Sequence, residues 1–99
     1  MSPIIDDFRA SIHARRHMLA KHDVEFVEAA EAGESSDRHY RTYSDSADER
    51  RYVVPGKTAD GRRLWVVFAD EGNRLGRIIT AFEPTDRSDV TRHRRMRGD

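Results

Sequence analysis

Several features that are common in small proteins are missing from this sequence. Its 99 residues include no cysteine, which excludes both a disulfide framework and a thiolate zinc site. No apolar run approaches the roughly 20 residues that a membrane-spanning helix requires. The N-terminus has neither the basic segment nor the apolar core of a signal peptide. We therefore expect a cytoplasmic protein that does not associate with a membrane.

Lysine is scarce, and the charges are unevenly distributed along the chain. Only Lys21 and Lys57 are lysines among the 18 basic residues. Residues 1–49 hold six Lys and Arg against eleven Asp and Glu, a net charge of −5, whereas residues 50–99 hold twelve against seven, a net charge of +5. Two interpretations stay open: the halves complement each other in packed layers, or the basic half binds a polyanion.

Three strand-like runs lie at residues 49–54, 62–69 and 74–82, where β-branched and aromatic residues dominate. Asp60-Gly61 and residues 70–73 separate the runs and supply the positive φ values that tight hairpins need. Arginine occurs in every run. The pattern predicts an antiparallel sheet of three strands, with a possible short edge strand at residues 39–43.

Helical periodicity flanks these runs. Apolar residues at three- and four-residue steps predict a first helix over residues 3–22, with Ile5, Phe8, Ile12 and Leu19 on its apolar face. A second helix is predicted over residues 24–32, ending at Gly33. A last helix is predicted to start at residue 85 or 88 and to end at residue 97. Arginines near its C-terminus interact favourably with the helix dipole.

These elements fit one domain over residues 1–99, since the chain is long enough for a single core only. The predicted fold class is α+β: two N-terminal helices, a three- to four-stranded antiparallel sheet and a C-terminal helix. Residues 84–99 form a basic C-terminal helix or tail. Few apolar residues lie in that segment, so we expect the last helix to be weakly held.

Metal and phosphate-loop motifs are weak here. His13 and His17 share a helical face at i, i+4 but lack a third ligand, and nearby basic residues would repel a cation, which favours a solvated basic face. Gly56-Lys57-Thr58 lacks the upstream glycine and the following helix of a P-loop. Trp65, among aliphatic neighbours, favours a core position over stacking on a nucleobase. We expect no metal and no cofactor.

Residue types suited to RNA cleavage are present at the start of the first strand. Cleavage by the 2′-hydroxyl of the RNA needs a base for that hydroxyl, cations for the phosphorane and an acid for the 5′-oxygen. Glu, His, Lys, Arg and Tyr can supply these functions without a metal. The sequence Glu49-Arg50-Arg51-Tyr52 holds three of these types within four residues.

Five segments, taken in order, resemble the BrnT family: residues 21–29, 49–52, 56–62, 66–68 and 77–81. The family pattern has a Lys-His-Gly-Val-x-Phe-x-Glu-Ala junction, a Glu-x-Arg strand, a Gly-x-Thr-x-Asp-Gly-Arg hairpin and an Arg-Ile-Ile-Ser-Ala strand. Here Asp23 replaces the glycine, and Phe82-Glu83-Pro84 replaces an arginine-rich continuation. Residues 13–18 and 80–82 are also similar to a related group of uncharacterised α+β domains.

The resemblance implies a RelE-like fold and the toxin of a type II toxin–antitoxin system, acting as a metal-independent endoribonuclease on mRNA. The implied partners are RNA and a ribbon-helix-helix antitoxin, with a homodimer or a toxin–antitoxin heterotetramer as the assembly. The implied catalytic residues are Lys21, His22, Glu49, Arg51, Tyr52 and Arg77. The implied RNA-binding residues are Arg50, Arg62, Arg63, Arg92, Arg94 and Arg95.

Within that set, Arg51, Arg62 and Arg77 would hold the phosphate. His22 or Glu49 would act as base, and Lys21 or Tyr52 would assist the leaving oxygen. Two alternatives remain: a non-catalytic module that pairs with an antitoxin or a nucleic acid, and a structural dimerisation domain. Zero net charge and the departure at residues 82–84 favour the non-catalytic module.

Overall fold

The computed structural model describes residues 3–42 and 49–99. These residues form three helices and one five-stranded sheet of strand order β1-β5-β4-β3-β2, which confirms the α+β class. In chain order the elements are β1 (Asp7–Arg9), α1 (Ile12–His22), α2 (Phe26–Glu34), β2 (Tyr40–Thr42), β3 (Arg51–Lys57), β4 (Arg63–Asp70), β5 (Leu75–Phe82) and α3 (Arg87–Arg97).

The two predicted hairpins form the centre of the sheet. β3 pairs antiparallel with β4, and β4 pairs antiparallel with β5. Gly61 lies in the first connection at φ 87°, and Gly72 and Asn73 lie in the second at φ 80° and 53°. These left-handed conformations match the turn chemistry that the sequence predicts. β2 adds the short edge strand, at Tyr40–Thr42. Of the two other residues of that prediction, His39 precedes the strand and Tyr43 lies outside the described residues.

The prediction for the first helix is wrong at its N-terminal end. Residues Asp7–Arg9 form β1, which pairs in parallel with β5 and makes the sheet mixed rather than antiparallel. Phe8 is buried in that strand, with its ring 5.3 Å from the ring of Phe68. The burial of Phe8 outweighs the helical spacing of its neighbours. Ile12 and Leu19, predicted for the core, are 69% and 53% exposed.

α1 begins four residues after Phe8, where Ser11 caps it. The Ser11 hydroxyl accepts a hydrogen bond from the Ala14 amide at 3.0 Å, which satisfies one free N–H of the first turn. Asp23 ends the helix in the left-handed conformation that the family pattern assigns to glycine. Met18 is the fully buried anchor of this helix.

α2 packs closely on the sheet through small residues. Gly33 lies inside the helix instead of ending it, and a Cβ there would lie 3.0 Å from the Phe8 ring. At Gly56 of β3, a Cβ would lie 2.2 Å from the carbonyl oxygen of Ala32. The absence of both Cβ atoms lets the helix and the sheet backbone approach each other.

The two faces of the sheet are covered differently. α1 and α2 cover one face and enclose the core. α3 lies on the other face, which we call the α3 face, and there Trp65 is 2% exposed and donates to Asp89 at 3.1 Å. The core position predicted for Trp65 is confirmed. The buried core side chains include Met18, Val24, Val54, Leu64, Val66, Phe68 and Ile78.

A buried histidine holds α3 against the strands. His93 lies 4.8 Å from the Trp65 ring, and its Nε2 is 3.1 Å from the carbonyl oxygen of Leu64. Arg63 Nη1 lies 3.1 Å from Nδ1, and since arginine only donates, Nε2 carries the proton. The helix is therefore held more firmly than its few apolar residues predicted.

The outer edge of β3 is closed beyond its pairing with β2, which ends at Val53. Pro55 has no N–H, and its carbonyl oxygen accepts a hydrogen bond from Arg97 at 3.1 Å. The Lys57 amide donates to the Ser35 hydroxyl at 2.9 Å. The backbone groups that would otherwise face solvent are satisfied by α2 and α3. No helix in the described part of the chain is long and apolar enough to cross a membrane.

Candidate functional site

Two arginines flank a small residue on the α3 face, beyond the area that α3 covers. In the register of the sheet, Arg51 of β3 lies opposite Ala69 of β4, and Ala69 lies opposite Arg77 of β5. The three residues share one face, and the two arginine Cα atoms are two strand spacings, roughly 10 Å, apart. Ala69 is fully buried, so the two longer side chains extend over it. The fold thus brings together two arginines that are 26 residues apart.

Glu49, just before β3, joins the two arginines. Its Oε2 accepts from Arg51 Nε at 2.8 Å and from Nη2 at 2.7 Å, and its Oε1 accepts from Arg77 Nη2. Arg77 Nε donates to Glu71 at 2.8 Å. We call Glu49, Arg51, Glu71 and Arg77 the Glu49 cluster. It alternates two cations with two carboxylates and is formally neutral.

The carboxylate of Glu49 is held in its ionised form. The hydrogen bond from Arg51 lowers the pKa of Glu49 below its ordinary value of 4.5, and the positive charges of Arg77 and Arg51 act in the same direction. Near neutral pH this carboxylate is therefore ionised and free of a proton, although its lowered pKa makes it a weaker base than an ordinary glutamate. The arginines simultaneously stabilise negative charge close to that carboxylate.

The Glu49 cluster is open to solvent and keeps unused donors. The side chains of Arg51 and Arg77 are 32% and 35% exposed. Each arginine binds its carboxylates through Nε and Nη2, and the Nη1 group of each forms no hydrogen bond within residues 3–42 and 49–99. An anion can therefore contact both guanidinium groups without first breaking the pairs with Glu49.

Arg62, predicted to hold the same phosphate, lies elsewhere. Its guanidinium binds Glu28 and Glu83 as well as the carbonyl oxygens of Asp23 and His22. Every nitrogen of this guanidinium is engaged. Arg62 therefore joins the α1–α2 junction to the hairpin, and the structure does not bring it to Arg51 and Arg77.

Lys21 and His22 lie at the C-terminal end of α1, at the same end of the molecule as Arg62. The His22 ring lies 5.6 Å from the ring of Phe82. Phe82 is five residues along β5 from Arg77, a separation of roughly 16 Å at the rise of a strand. The structure thus separates the predicted catalytic set into two groups.

Tyr52 lies on the opposite face of the sheet from the Glu49 cluster. It is 8% exposed, and its ring stacks on Phe68 in the core at 5.6 Å. Alternation along β3 turns it away from its neighbour Arg51. Its environment is that of a core residue.

The predicted RNA-binding arginines occupy three environments. Arg50 is exposed and directly precedes Arg51. Arg63 is engaged by Asp99 at 3.2 Å and by His93. The remaining three lie on α3: Arg92 pairs with Asp89 and lies 4.9 Å over the Trp65 ring, while Arg94 and Arg95 are exposed.

Sequence reasoning missed Glu71 and the role of Ala69. Glu71 follows β4 in the second connection, where its amide donates to Leu75, and its side chain reaches Arg77. A carboxylate in that hairpin, six residues before an arginine on the next strand, was the available signal. For metals, residues 3–42 and 49–99 contain no group of three or more His, Cys, Asp or Glu that could hold an ion.

Comparison with known proteins identifies a family for most of the chain. A family model described as the ribonuclease toxin BrnT of a type II toxin–antitoxin system matches residues 13–87. No curated protein matches the chain significantly. The matched segment contains the whole Glu49 cluster and stops at the first residue of α3.

Proposed function

Because the chain belongs to the BrnT family of ribonuclease toxins of type II toxin–antitoxin systems, we propose that it cleaves messenger RNA at the Glu49 cluster without a metal ion. One observation carries this proposal: the ionised Glu49 carboxylate lies between Arg51 and Arg77 on an exposed part of the sheet. Family membership supplies the ribonuclease activity, and the arrangement of charges supports its location.

In the proposed reaction Glu49 is the general base. Its carboxylate accepts the proton of the 2′-hydroxyl, and the 2′-oxygen attacks the adjacent phosphorus. Arg51 and Arg77 bind the phosphate oxygens and stabilise the phosphorane through their free Nη1 groups. The bond from phosphorus to the 5′-oxygen then breaks, which leaves a 2′,3′-cyclic phosphate and a 5′-hydroxyl. The two guanidinium groups supply the positive charge that a metal ion supplies in other nucleases.

The proton for the leaving oxygen comes, in this proposal, from water at the open site. Lys21 and His22 lie too far from Glu49 to protonate the same phosphate group, and Tyr52 is in the core. We assign Lys21 and His22 to contacts with the RNA strand further from the cleaved bond. Arg50 and the exposed α3 arginines, Arg94 and Arg95, extend the basic surface along that strand.

Membership of a toxin–antitoxin family implies an antitoxin as partner. We propose a ribbon-helix-helix protein for this role, acting in the cytoplasm, with a toxin–antitoxin heterotetramer as the assembly. Co-expression with such a protein encoded next to this chain, followed by light scattering of the purified complex, measures the stoichiometry. A toxin that is purified alone as a stable homodimer would contradict the heterotetramer as its resting assembly.

The direct test uses purified protein and a labelled RNA in excess EDTA. We expect cleavage with cyclic-phosphate and 5′-hydroxyl ends in the wild type, and loss of cleavage in Glu49→Gln. Glu83→Gln is the matched control, because it removes a carboxylate that pairs with an arginine outside the cluster. Cleavage that requires added divalent metal, or that survives in Glu49→Gln, would contradict the mechanism.

The formal neutrality of the Glu49 cluster favours a second function, a non-catalytic module that binds an antitoxin or RNA. In that case the wild type leaves RNA intact and does not arrest growth, yet still binds its partner. Arg77→Ala separates the two functions, because loss of a catalytic arginine lowers activity with little loss of binding.

A further inference from the structure

A cavity of about 350 Å³ lies between α1 and β5. The helix contributes Ser11, His13 and His17 to its lining, and the strand contributes Arg77, Ile79 and Thr80. Its size is at the lower end of the range for small-molecule sites. Arg77 lines this cavity and also belongs to the Glu49 cluster, so the cavity adjoins the proposed position of the phosphate.

The strand is irregular where it lines the cavity. Phe68 of β4 lies opposite Ile78, whereas Val67 lies opposite Thr80, so Ile79 is an extra residue in β5. The pairing of β1 with β5 ends at Arg77, so the outer edge of the strand has no strand partner beyond that point in the described part of the sheet. A bulge beside a free edge redirects side chains and leaves backbone donors and acceptors available.

Thr80 carries a buried polar atom without a partner. Its Oγ1 is inaccessible to solvent and forms no hydrogen bond to any described residue. A hydroxyl can donate one hydrogen bond and accept others, and leaving it unpaired in the interior is unfavourable. In the register of β4 and β5, Thr80 lies opposite Val67 on the α3 face, and its Oγ1 has no surface exposed to the cavity, so we assign this hydroxyl no role in ligand binding.

We propose that this cavity binds the nucleobase next to the cleaved phosphate and thereby sets the base preference of cleavage. This inference rests on the proposed ribonuclease function. The imidazole rings of His13 and His17 stack on the base, the free backbone edge of β5 bonds to its polar edge, and Arg77 binds the attached phosphate. The histidines that looked like an incomplete metal site thus belong to an RNA subsite.

The first test measures cleavage of an RNA library with randomised sequence around the cut. Replacing both histidines, His13→Ala with His17→Ala, is expected to raise KM about fivefold or more, since base stacking is lost. The base preference at one position next to the cut becomes flat, while kcat changes little. Arg16→Ala is the matched control, because Arg16 is an exposed cation of the same helix outside the cavity.

Thr80→Val is a second control, because the Thr80 hydroxyl has no surface in the cavity. Valine has nearly the same shape, and no hydrogen bond between described residues is lost. We expect unchanged or higher thermal stability and an unchanged base preference. If the histidine double variant keeps the wild-type preference and KM, while Glu49→Gln is inactive, the subsite is wrong and the ribonuclease proposal stands.

A binding experiment tests the base site independently of whether the protein cleaves RNA. Nucleoside 5′-monophosphates are titrated into the wild type, and the ring resonances of His13 and His17 are followed by NMR. Saturable shifts for at least one nucleotide, absent with inorganic phosphate, support a base site even if the protein cleaves no RNA. Rings that stay unperturbed at millimolar concentrations of all four nucleotides overturn the inference, whatever the activity.

Discussion

Arg62, just before β4, and Arg77, near the start of β5, are both bound by two carboxylates, yet their remaining donors are used differently. Arg62 also binds two backbone carbonyl oxygens, those of His22 and Asp23, so all its donors are used and its side chain is 23% exposed. Arg77 binds only carboxylates, keeps Nη1 free of any described partner and is 35% exposed. Two arginines with the same number of acidic neighbours therefore differ in how many donors remain for a further anion.

The largest expected effect is on catalysis. Arg77→Ala is expected to lower kcat by about 100-fold or more, because removal of one preorganised donor at a developing negative charge typically has this effect. Arg77 lies at the sheet surface, so the free energy of unfolding should change little. Single-turnover cleavage of a labelled RNA, with denaturant unfolding of the same sample, measures both. A fall in the free energy of unfolding as large as that expected for Arg62→Ala would remove the contrast between the two arginines.

The matching substitution, at Arg62, is expected to act on stability. Arg62→Ala leaves Glu28, Glu83 and two carbonyl oxygens without their donor, and we expect the free energy of unfolding to fall by about 2 kcal/mol. The folded fraction should cleave RNA at close to the wild-type rate. Urea unfolding and activity corrected for folded protein provide the measurement. A loss of activity comparable to that of Arg77→Ala would place Arg62 in the catalytic machinery.

The dependence of stability and activity on pH allows a second comparison, between His93 on α3 and the Glu49 cluster. Burial lowers the pKa of His93 below its ordinary value of 6.5, so the unfolded state binds more protons than the folded state below pH 6.5. Its contribution to stability is complete above pH 6.5 and is lost as the pH falls toward the folded-state pKa. Glu49, whose pKa is lowered below 4.5, stays ionised across the upper part of this range.

We therefore expect the melting temperature to fall below pH 6.5 while the activity of folded protein stays nearly constant down to about pH 5.5. Thermal unfolding and initial rates across this range test the separation. In His93→Gln the slope of stability against pH in this window should be smaller. Activity that falls in parallel with a titrating histidine would give that residue a catalytic role.

The smallest expected effect is at the distant end of α1. Lys21→Ala should raise KM about two- to fivefold, as expected for loss of one phosphate contact, and leave kcat nearly unchanged. The KM effect should shrink at high salt, because phosphate contacts are screened. Steady-state cleavage at two salt concentrations checks this. A fall in kcat as large as that expected for Arg77→Ala would instead indicate that Lys21 protonates the leaving oxygen.

Local sequence patterns were sufficient for the hairpins, for α2 and for the core position of Trp65. They failed for β1, because three residues pair with a strand more than 60 positions away, and only the burial of Phe8 in the folded state selects that pairing. The helical spacing around Phe8 was accidental. The positive-φ residues near 61 and 72, by contrast, act within their own hairpins.

The sequence was sufficient to predict the types of residue in the candidate site, but not which of those residues lie together. The sequence indicates arginines on strands, but one partner of Arg62 is Glu28, 34 positions away. Nothing local shows that every donor of Arg62 is used while Nη1 of Arg77 has no described partner. Part of the charge asymmetry is internal complementarity, since the pairs of Arg62 with Glu28 and Arg77 with Glu49 join the basic half to the acidic half. Only the three-dimensional structure shows which arginine N–H donors these pairs leave unused.

Closure of the β3 edge determines where another chain can extend this sheet. With Pro55 lacking an amide proton and its oxygen already bound by Arg97, an incoming segment has no continuous ladder to follow there. Edge-to-edge pairing of two molecules is therefore blocked along the part of β3 that β2 leaves uncovered. The outer edge of β5 beyond Arg77, by contrast, has no strand partner in the described part of the sheet, and a segment added there would lie beside the Glu49 cluster and obstruct an RNA bound to it.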